Sequence, residues 1–200
     1  MIQAPFCGII GLPIAPSGRC FARALSRPLY QALRSRSVFQ GPIQNVLHKL
    51  KYRRSLGLDK VLTRRLAVCV RGLDWPLELV APLPLSRKRL KERGYNQVGL
   101  VAHPLAAMLG WRFLPRAAVH CRGPRSQVGL SAEERKENVA GMFTAKPALI
   151  RDRAVLLVDD VATTGSTLSA CAQSVLTAGA RSVYALTLAR ALPQHGMTQV

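Results

Sequence analysis

The segment that most constrains this chain is Val155-Leu156-Leu157-Val158-Asp159-Asp160-Val161-Ala162-Thr163-Thr164-Gly165-Ser166-Thr167-Leu168. Its four apolar residues read as a short strand buried on both faces, the pattern of a parallel sheet. Two adjacent carboxylates close the strand, at the edge where open α/β sheets bind ligands. Like charges side by side repel, so the pair calls for a ligand or a cation there. A turn of small hydroxylated residues follows and opens a helix with Leu168, Cys171, Ala172, Val175 and Leu176 on one face and Gly179 at its end. The free N–H groups and the dipole of that helix start face the same edge as the acids. Amides and hydroxyls there suit a phosphate monoester, and the carboxylates suit vicinal hydroxyls and a hydrated divalent cation. Together they describe a ribose 5-phosphate carrying a further anionic group. The plainer alternative is an Asp-Asp turn whose Thr and Ser residues only cap the helix.

The rest of the chain alternates in the same way. Residues 77–81 and 181–188 read as strands, 113–119 as another, and 142–144 as a minor one. Helices are predicted from Pro42 through Ile43, Val46, Leu47 and Leu50, and from Leu58 to Val70. A third starts near Asn96 as its cap, carries Val98, Val101, Leu105 and Leu109, and ends at Gly110, with Pro104 expected to kink or interrupt it. Residues 85–97 read as a basic loop, as do 122–127, and Ser131-Ala132-Glu133-Glu134 is a capping box. Alternating strands and helices with fully apolar short strands indicate an α/β fold with a mostly parallel sheet.

Charge adds the second constraint. The chain carries 29 Lys+Arg against 10 Asp+Glu, a net +19, of which +11 lies in residues 1–65. Such a field attracts polyanions, although an arginine-rich solvated surface produces the same number. The five cysteines are scattered and odd in number, which points to reduced thiols and a cytoplasmic protein rather than a disulfide scaffold. No run approaches the length of a membrane span, and residues 1–16 lack the basic start of a secretory signal, so no membrane insertion is expected. The Arg/Ser-rich, acid-free stretch at 19–36 also has the composition of an organellar transit peptide.

Four apolar residues, two acids, two further residues and Thr-Thr-Gly-Ser-Thr closely resemble the signature of type I phosphoribosyltransferases. Further blocks narrow the resemblance: Val80-Ala81-Pro82-Leu83-Pro84-Leu85-Ser86, then Arg89, then Arg93-Gly94-Tyr95-Asn96-Gln97. With Lys49-Leu50-Lys51-Tyr52, Ser126-Gln127, Leu130-Ser131, Arg135 and Asn138, they look like the ComF (competence protein F, GntX-like) branch, over residues 39–190. The resemblance implies a type I phosphoribosyltransferase fold at 74–192, preceded by a basic helical segment at 38–73 and followed by a tail at 193–200. It implies that Asp159 and Asp160 hold the ribose hydroxyls of phosphoribosyl pyrophosphate, with Mg2+ bound through water. Ala162, Thr163, Thr164, Gly165, Ser166 and Thr167 would cradle the 5-phosphate. The loop from Pro82 to Ser86, with Pro84, Leu85 and Ser86, would meet the pyrophosphate through backbone amides, and Arg87, Arg89 or Arg93 would neutralise charge as it develops on that leaving group, Arg93 acting with the two acids in catalysis. Arg125, Ser126 and Gln127 would belong to a mobile hood, anchored by Arg135 and Asn138.

Two departures qualify the family pattern. Many members begin with paired cysteines resembling a zinc module, whereas here Cys7 and Cys20 alone fall in that region, and two ligands do not close a tetrahedral site. No structural zinc is therefore expected, and residues 1–37 read as a weakly ordered basic leader, the degenerate remnant of that module. Some purine enzymes also carry an acidic base where Thr163 stands, and threonine cannot take that role at neutral pH. Three readings follow. The first is an enzyme displacing pyrophosphate. The second is a competence protein binding single-stranded DNA and a helicase-like partner, with DNA contacts at Lys49, Lys51, Arg53 and Arg54 separate from the sugar-phosphate pocket. The third is a sensor of phosphoribosyl pyrophosphate.

Overall fold

The computed structural model describes residues 7–12, 28–52, 57–121 and 141–192. Its strands are β1 (Leu33–Val38), β2 (Leu79–Pro82), β3 (Arg112–Phe113), β4 (Ala118–His120), β5 (Phe143–Ala145), β6 (Ala154–Ala162) and β7 (Ser182–Arg190). Its helices are α1 (Pro42–Tyr52), α2 (Leu58–Arg71), α3 (Arg87–Arg93), α4 (Gly99–Leu109), α5 (Pro147–Ile150) and α6 (Ser166–Thr177). Five strands pair in the order β1–β7–β6–β2–β3, every pairing parallel, while β4 and β5 form a separate antiparallel pair.

The alternation along β6 explains why both faces of the sheet are covered. Val155 and Leu157 face one layer, with Leu168, Cys171, Ala172 and Val175 of α6. Leu156 and Val158 face the other, with Leu47 and Leu50 of α1, Leu66 and Val70 of α2, and Val101 and Leu105 of α4. Apolar residues on both sides of a strand can be buried only in such a three-layer arrangement. The α/β fold with a mostly parallel sheet flanked by helices is therefore what the chain adopts.

Several elements differ from the sequence expectation. The stretch assigned to a basic leader supplies β1, an edge strand in which Leu33 and Ser35 point inward, and Ser35 Oγ lies 2.6 Å from Thr187 Oγ1. Residues 7–12 also pack, with Cys7, Ile10 and Leu12 in a small cluster against Leu192. The basic segment 38–73 is continuous with the main core rather than an appendage, since α1 and α2 share their apolar cluster with β2, β6 and β7. The loop expected at 85–97 contains α3, whose start is capped by Ser86 Oγ accepting from Arg89 N at 3.3 Å and whose end is the left-handed Gly94. Asn96 makes a turn onto Val98 N rather than the cap of α4, and α4 runs past Pro104 without a break. The strand expected at 113–119 divides into β3 and β4 around Pro115. The capping box at 131–134 lies outside the described residues. Among the described residues, no helix is long and apolar enough to cross a membrane.

Candidate functional site

The site forms where the two central strands stop running together. β2 ends at Pro82, in register with Val158, and Leu83 N makes one last bond to Val158 O at 2.8 Å. β7 continues beside β6 as far as the pairing of Ala162 with Arg190. Among the described residues, 159–162 of β6 are thus paired on one side only, and the other side opens into a cavity of about 620 Å³. Residues 83–86 border this cavity, held by Asn96 Nδ2 donating to Leu83 O at 2.9 Å. Lys88, Arg89, Glu92 and Arg93 of α3 add to its wall, with Asp159, Asp160, Val161, Thr167, His120, Met142 and Phe143.

Asp160 and Asp159 fill different roles. Asp160 is buried, at 8% exposure. Its Oδ2 accepts from Lys51 Nζ at 3.0 Å and from Gln97 Nε2 at 3.2 Å, and its Oδ1 accepts from Val161 N at 2.8 Å. Burial works against its charge, but the Lys51 ammonium and these donors outweigh it and hold the carboxyl below the usual range. Asp159 Oδ1 accepts from Asp160 N at 2.8 Å. Burial, and then the charge of Asp160, push the Asp159 carboxyl well up. The pair thus holds one carboxyl kept low by its cationic partner and one whose charge burial disfavours.

A polar relay extends from this pair. Arg93 Nη1 donates to Gln97 Oε1 at 2.9 Å, and Gln97 in turn donates to Asp160. The Arg93 guanidinium also lies 5.6 Å from the ring centroid of Tyr52, whose ring is 4.7 Å from that of His48. The loop is tied to α1 as well, by Tyr95 Oη donating to Leu50 O at 2.8 Å.

Behind the acids the chain turns into α6. Gly165 begins the helix at φ +84°, and a Cβ there would stand 2.8 Å from Tyr30 Oη. Thr164 Oγ1 and Ser166 Oγ lie 2.8 Å apart, and Ser166 N donates weakly to Thr164 Oγ1 at 3.3 Å. Thr163, Thr164, Ser166 and Thr167 are exposed on this turn, next to first-turn amides that have no partner inside the helix.

Seven of the sequence-predicted residues converge here: Asp159, Asp160, Pro84, Leu85, Ser86, Arg93 and Thr167 border one cavity, while Thr163, Thr164, Gly165 and Ser166 stand on the turn beside it and are not part of its wall. Three others depart from their expected places. Ala162 is buried in the core beneath the turn and offers the cavity nothing. Arg87 is exposed and off the cavity wall, because helical spacing in α3 puts Arg89 and Arg93 on the inner face instead. Lys51, expected among DNA contacts apart from the pocket, is inside it and bonded to Asp160, so the two sets of residues are joined at this position. Lys49 is exposed as expected. Arg53, Arg54, Arg125, Ser126, Gln127, Arg135 and Asn138 lie outside the described residues. Gln97, which had no assigned role, proves to be the bridge between Arg93 and Asp160. Its only signal was its place in the Arg93-Gly94-Tyr95-Asn96-Gln97 block.

Known proteins resemble this chain in sequence. The family described as phosphoribosyl transferase domain matches residues 118–196. The DNA utilization protein YhgH of Salmonella typhi is 33% identical over 194 residues, spanning 94% of this chain and 84% of that protein. Competence protein F of Haemophilus influenzae is 29% identical over 198 residues, spanning 94% and 85%. Among solved structures, the glutamine phosphoribosylpyrophosphate amidotransferase from B. subtilis, complexed with ADP and GMP, superposes with a TM-score of 0.49. It shares 14% identity and covers 70% of this chain and 30% of that chain.

Proposed function

Because the chain belongs to the ComF family of the type I phosphoribosyltransferase superfamily, we propose that its cavity binds phosphoribosyl pyrophosphate with Mg2+ and transfers the phosphoribosyl group to a nucleophilic acceptor. The observation that carries this reading is the meeting of Asp159, Asp160 and Thr167 with Arg89 and Arg93 on the wall of one cavity. Few ligands call for carboxylates and arginines together; a sugar diol next to a pyrophosphate does. The donor set also suits a hydrated Mg2+, since it offers hard carboxylate oxygens and Asp159 is a group whose charge a cation would relieve.

In this reading Asp160, kept ionised by Lys51, accepts from ribose hydroxyls and fixes the ring. The turn from Thr163 to Thr167 holds the 5-phosphate by amides and hydroxyls. When bound, Mg2+ supplies positive charge to the pyrophosphate oxygens. The acceptor's lone pair forms the new bond at the anomeric carbon as the bond to pyrophosphate breaks on the opposite face, inverting the centre. Arg89 and Arg93 stabilise the charge that grows on the leaving oxygens. Threonine at 163 abstracts no proton, so the acceptor brings its own nucleophilicity, as an amine does. Holding the two reactants in line accounts for most of the acceleration.

Binding is tested by thermal shift. Phosphoribosyl pyrophosphate with Mg2+ at about 100 times its dissociation constant should add about 2.7 kcal/mol to stability, a clear rise in melting temperature. The absence of any rise at millimolar ligand overturns the reading.

One observation favours a second role in single-stranded DNA binding, in keeping with the names of the relatives. Tyr52 is 62% exposed next to His48, Arg93 and the lysines of α1, and exposed aromatic rings among cations are how sequence-tolerant single-strand binders hold bases and phosphates. Lys49→Ala should weaken binding of a labelled oligo-dT and reduce the slope of log affinity against log salt by about 0.7. It should leave phosphoribosyl pyrophosphate affinity unchanged. Lys51→Ala should lower both affinities, because Lys51 is bonded to Asp160. Anisotropy titrations at two salt concentrations decide this, and no binding at low salt removes the DNA role.

A further inference from the structure

Lys51 stands one residue from the end of α1 and is part of the cavity wall. Two contacts fix that end of the helix: Leu50 is fully buried in the core, and Tyr95 Oη donates to Leu50 O at 2.8 Å. The next side chain along reaches the acid pair, with Lys51 Nζ 3.0 Å from Asp160 Oδ2. Only 27% of the Lys51 side chain and 12% of that of Asp160 remain exposed. Lys49, two residues earlier on the same helix, is exposed. Position, rather than the general basicity of α1, is what puts one ammonium on the acids.

A divalent cation on the two carboxylates would share Asp160 with this ammonium. Like charges a few ångströms apart repel, and the repulsion is larger in a partly buried cavity than in water. The wall adds to it: Lys88, Arg89 and Arg93 stand there too, while Glu92 supplies a single further acid. Among the described residues, no group of three His, Cys, Asp or Glu side chains is placed to hold a metal ion. A cation at Asp159 and Asp160 thus meets few ligands from the chain and a surplus of positive charge. A polyanion changes both, because its oxygens complete the metal's coordination and its charge offsets the lysines and arginines. The flexible stem of Lys51 also lets its ammonium turn from the carboxylate to a phosphate oxygen.

We propose that Lys51 is a specificity-determining residue: as the resident cation of the acid pair, it weakens the binding of a lone divalent metal ion and leaves the metal to enter together with a phosphate-bearing ligand. This rests on the reading that Asp159 and Asp160 are the metal's carboxylates, and it adds that the chain supplies the metal's competitor. The cavity then takes up metal and ligand as a unit rather than filling with the free ion.

Mn2+, which takes the same oxygen ligands as Mg2+, is titrated alone into the protein, and the free ion is read by electron paramagnetic resonance. Lys51→Met, which keeps the stem without the charge, should bind Mn2+ about tenfold tighter or more. Lys51→Gln should show the same gain, and its neutral donor to Asp160 serves if the methionine variant does not fold. Lys51→Arg, which keeps the charge, should stay within about threefold of the parent. Adding Asp160→Asn to Lys51→Met should abolish the gain. Equal affinities across the series, a gain in Lys51→Arg as large as in Lys51→Met, or a gain that survives Asp160→Asn overturns the role of Lys51. Melting with phosphoribosyl pyrophosphate and Mg2+ keeps the two readings apart. If that ligand stabilises the parent but the Mn2+ affinities do not separate, the pocket stands and the inference falls. If the affinities separate and the ligand does not stabilise the parent, the competition at the acids stands and the phosphoribosyl reading falls.

Discussion

Asp160→Asn should lower phosphoribosyl pyrophosphate affinity, and any pyrophosphate release that depends on it, by about a hundredfold or more, the equivalent of two tenfold losses at 1.4 kcal/mol each. The asparagine keeps the size of the side chain and can still meet Gln97 Nε2. It loses the charge, and charge-assisted hydrogen bonds to ribose hydroxyls and to metal-bound water are about twice as strong as neutral ones. It also leaves the Lys51 ammonium, now 3.0 Å from the carboxylate, facing an amide. Asp159 cannot take over, because burial disfavours its charge even with its neighbour neutralised. Calorimetry gives the affinity, and coupled detection of pyrophosphate gives the turnover. Turnover within threefold of the parent, in a variant that melts normally, would show that the charge of Asp160 has no part in ligand binding.

How much of this was legible in the sequence depended on how local each feature is. The floor of the site is one contiguous segment, and its apolar run, paired acids and glycine turn each leave a mark in the order of residues. β1 left little trace. It is an edge strand, and edges carry charge on their outer side, so Arg34 and Arg36 alternating with Leu33 and Ser35 looked like basic leader. α3 has no buried residue and hence no apolar period; only its Ser86 cap and Gly94 end betray it. Reading it as a loop also hid which arginines point inward, a question that only helical spacing answers. The placement of Lys51 could not be seen at all, because it depends on how α1 packs across β6, far away in the chain. β7 was expected to end at Leu188. It runs two residues further because β1, unseen, pairs with it through Val38, and those two residues bring Arg190 under the turn.

Gly165→Ala should destabilise the fold by about 3 kcal/mol, combining roughly 1–2 kcal/mol for a non-glycine residue at positive φ with 1–3 kcal/mol for overpacking. The second part arises because the new methyl carbon would stand 2.8 Å from Tyr30 Oη, and Tyr30 is buried, at 3% exposure. Gly110 supplies the comparison. It ends α4 at φ +72°, nearly the same backbone strain, but a Cβ there meets nothing within 4 Å. Gly110→Ala should therefore cost only the backbone part, about 1 kcal/mol. The difference between the two variants, read by chemical denaturation, isolates the contact with Tyr30. A large difference means the turn rests on a rigid support that cannot yield, the condition under which its amides can be aimed at an anion in advance. Equal costs would mean that Tyr30 swings aside and that the turn has no rigid support beneath it.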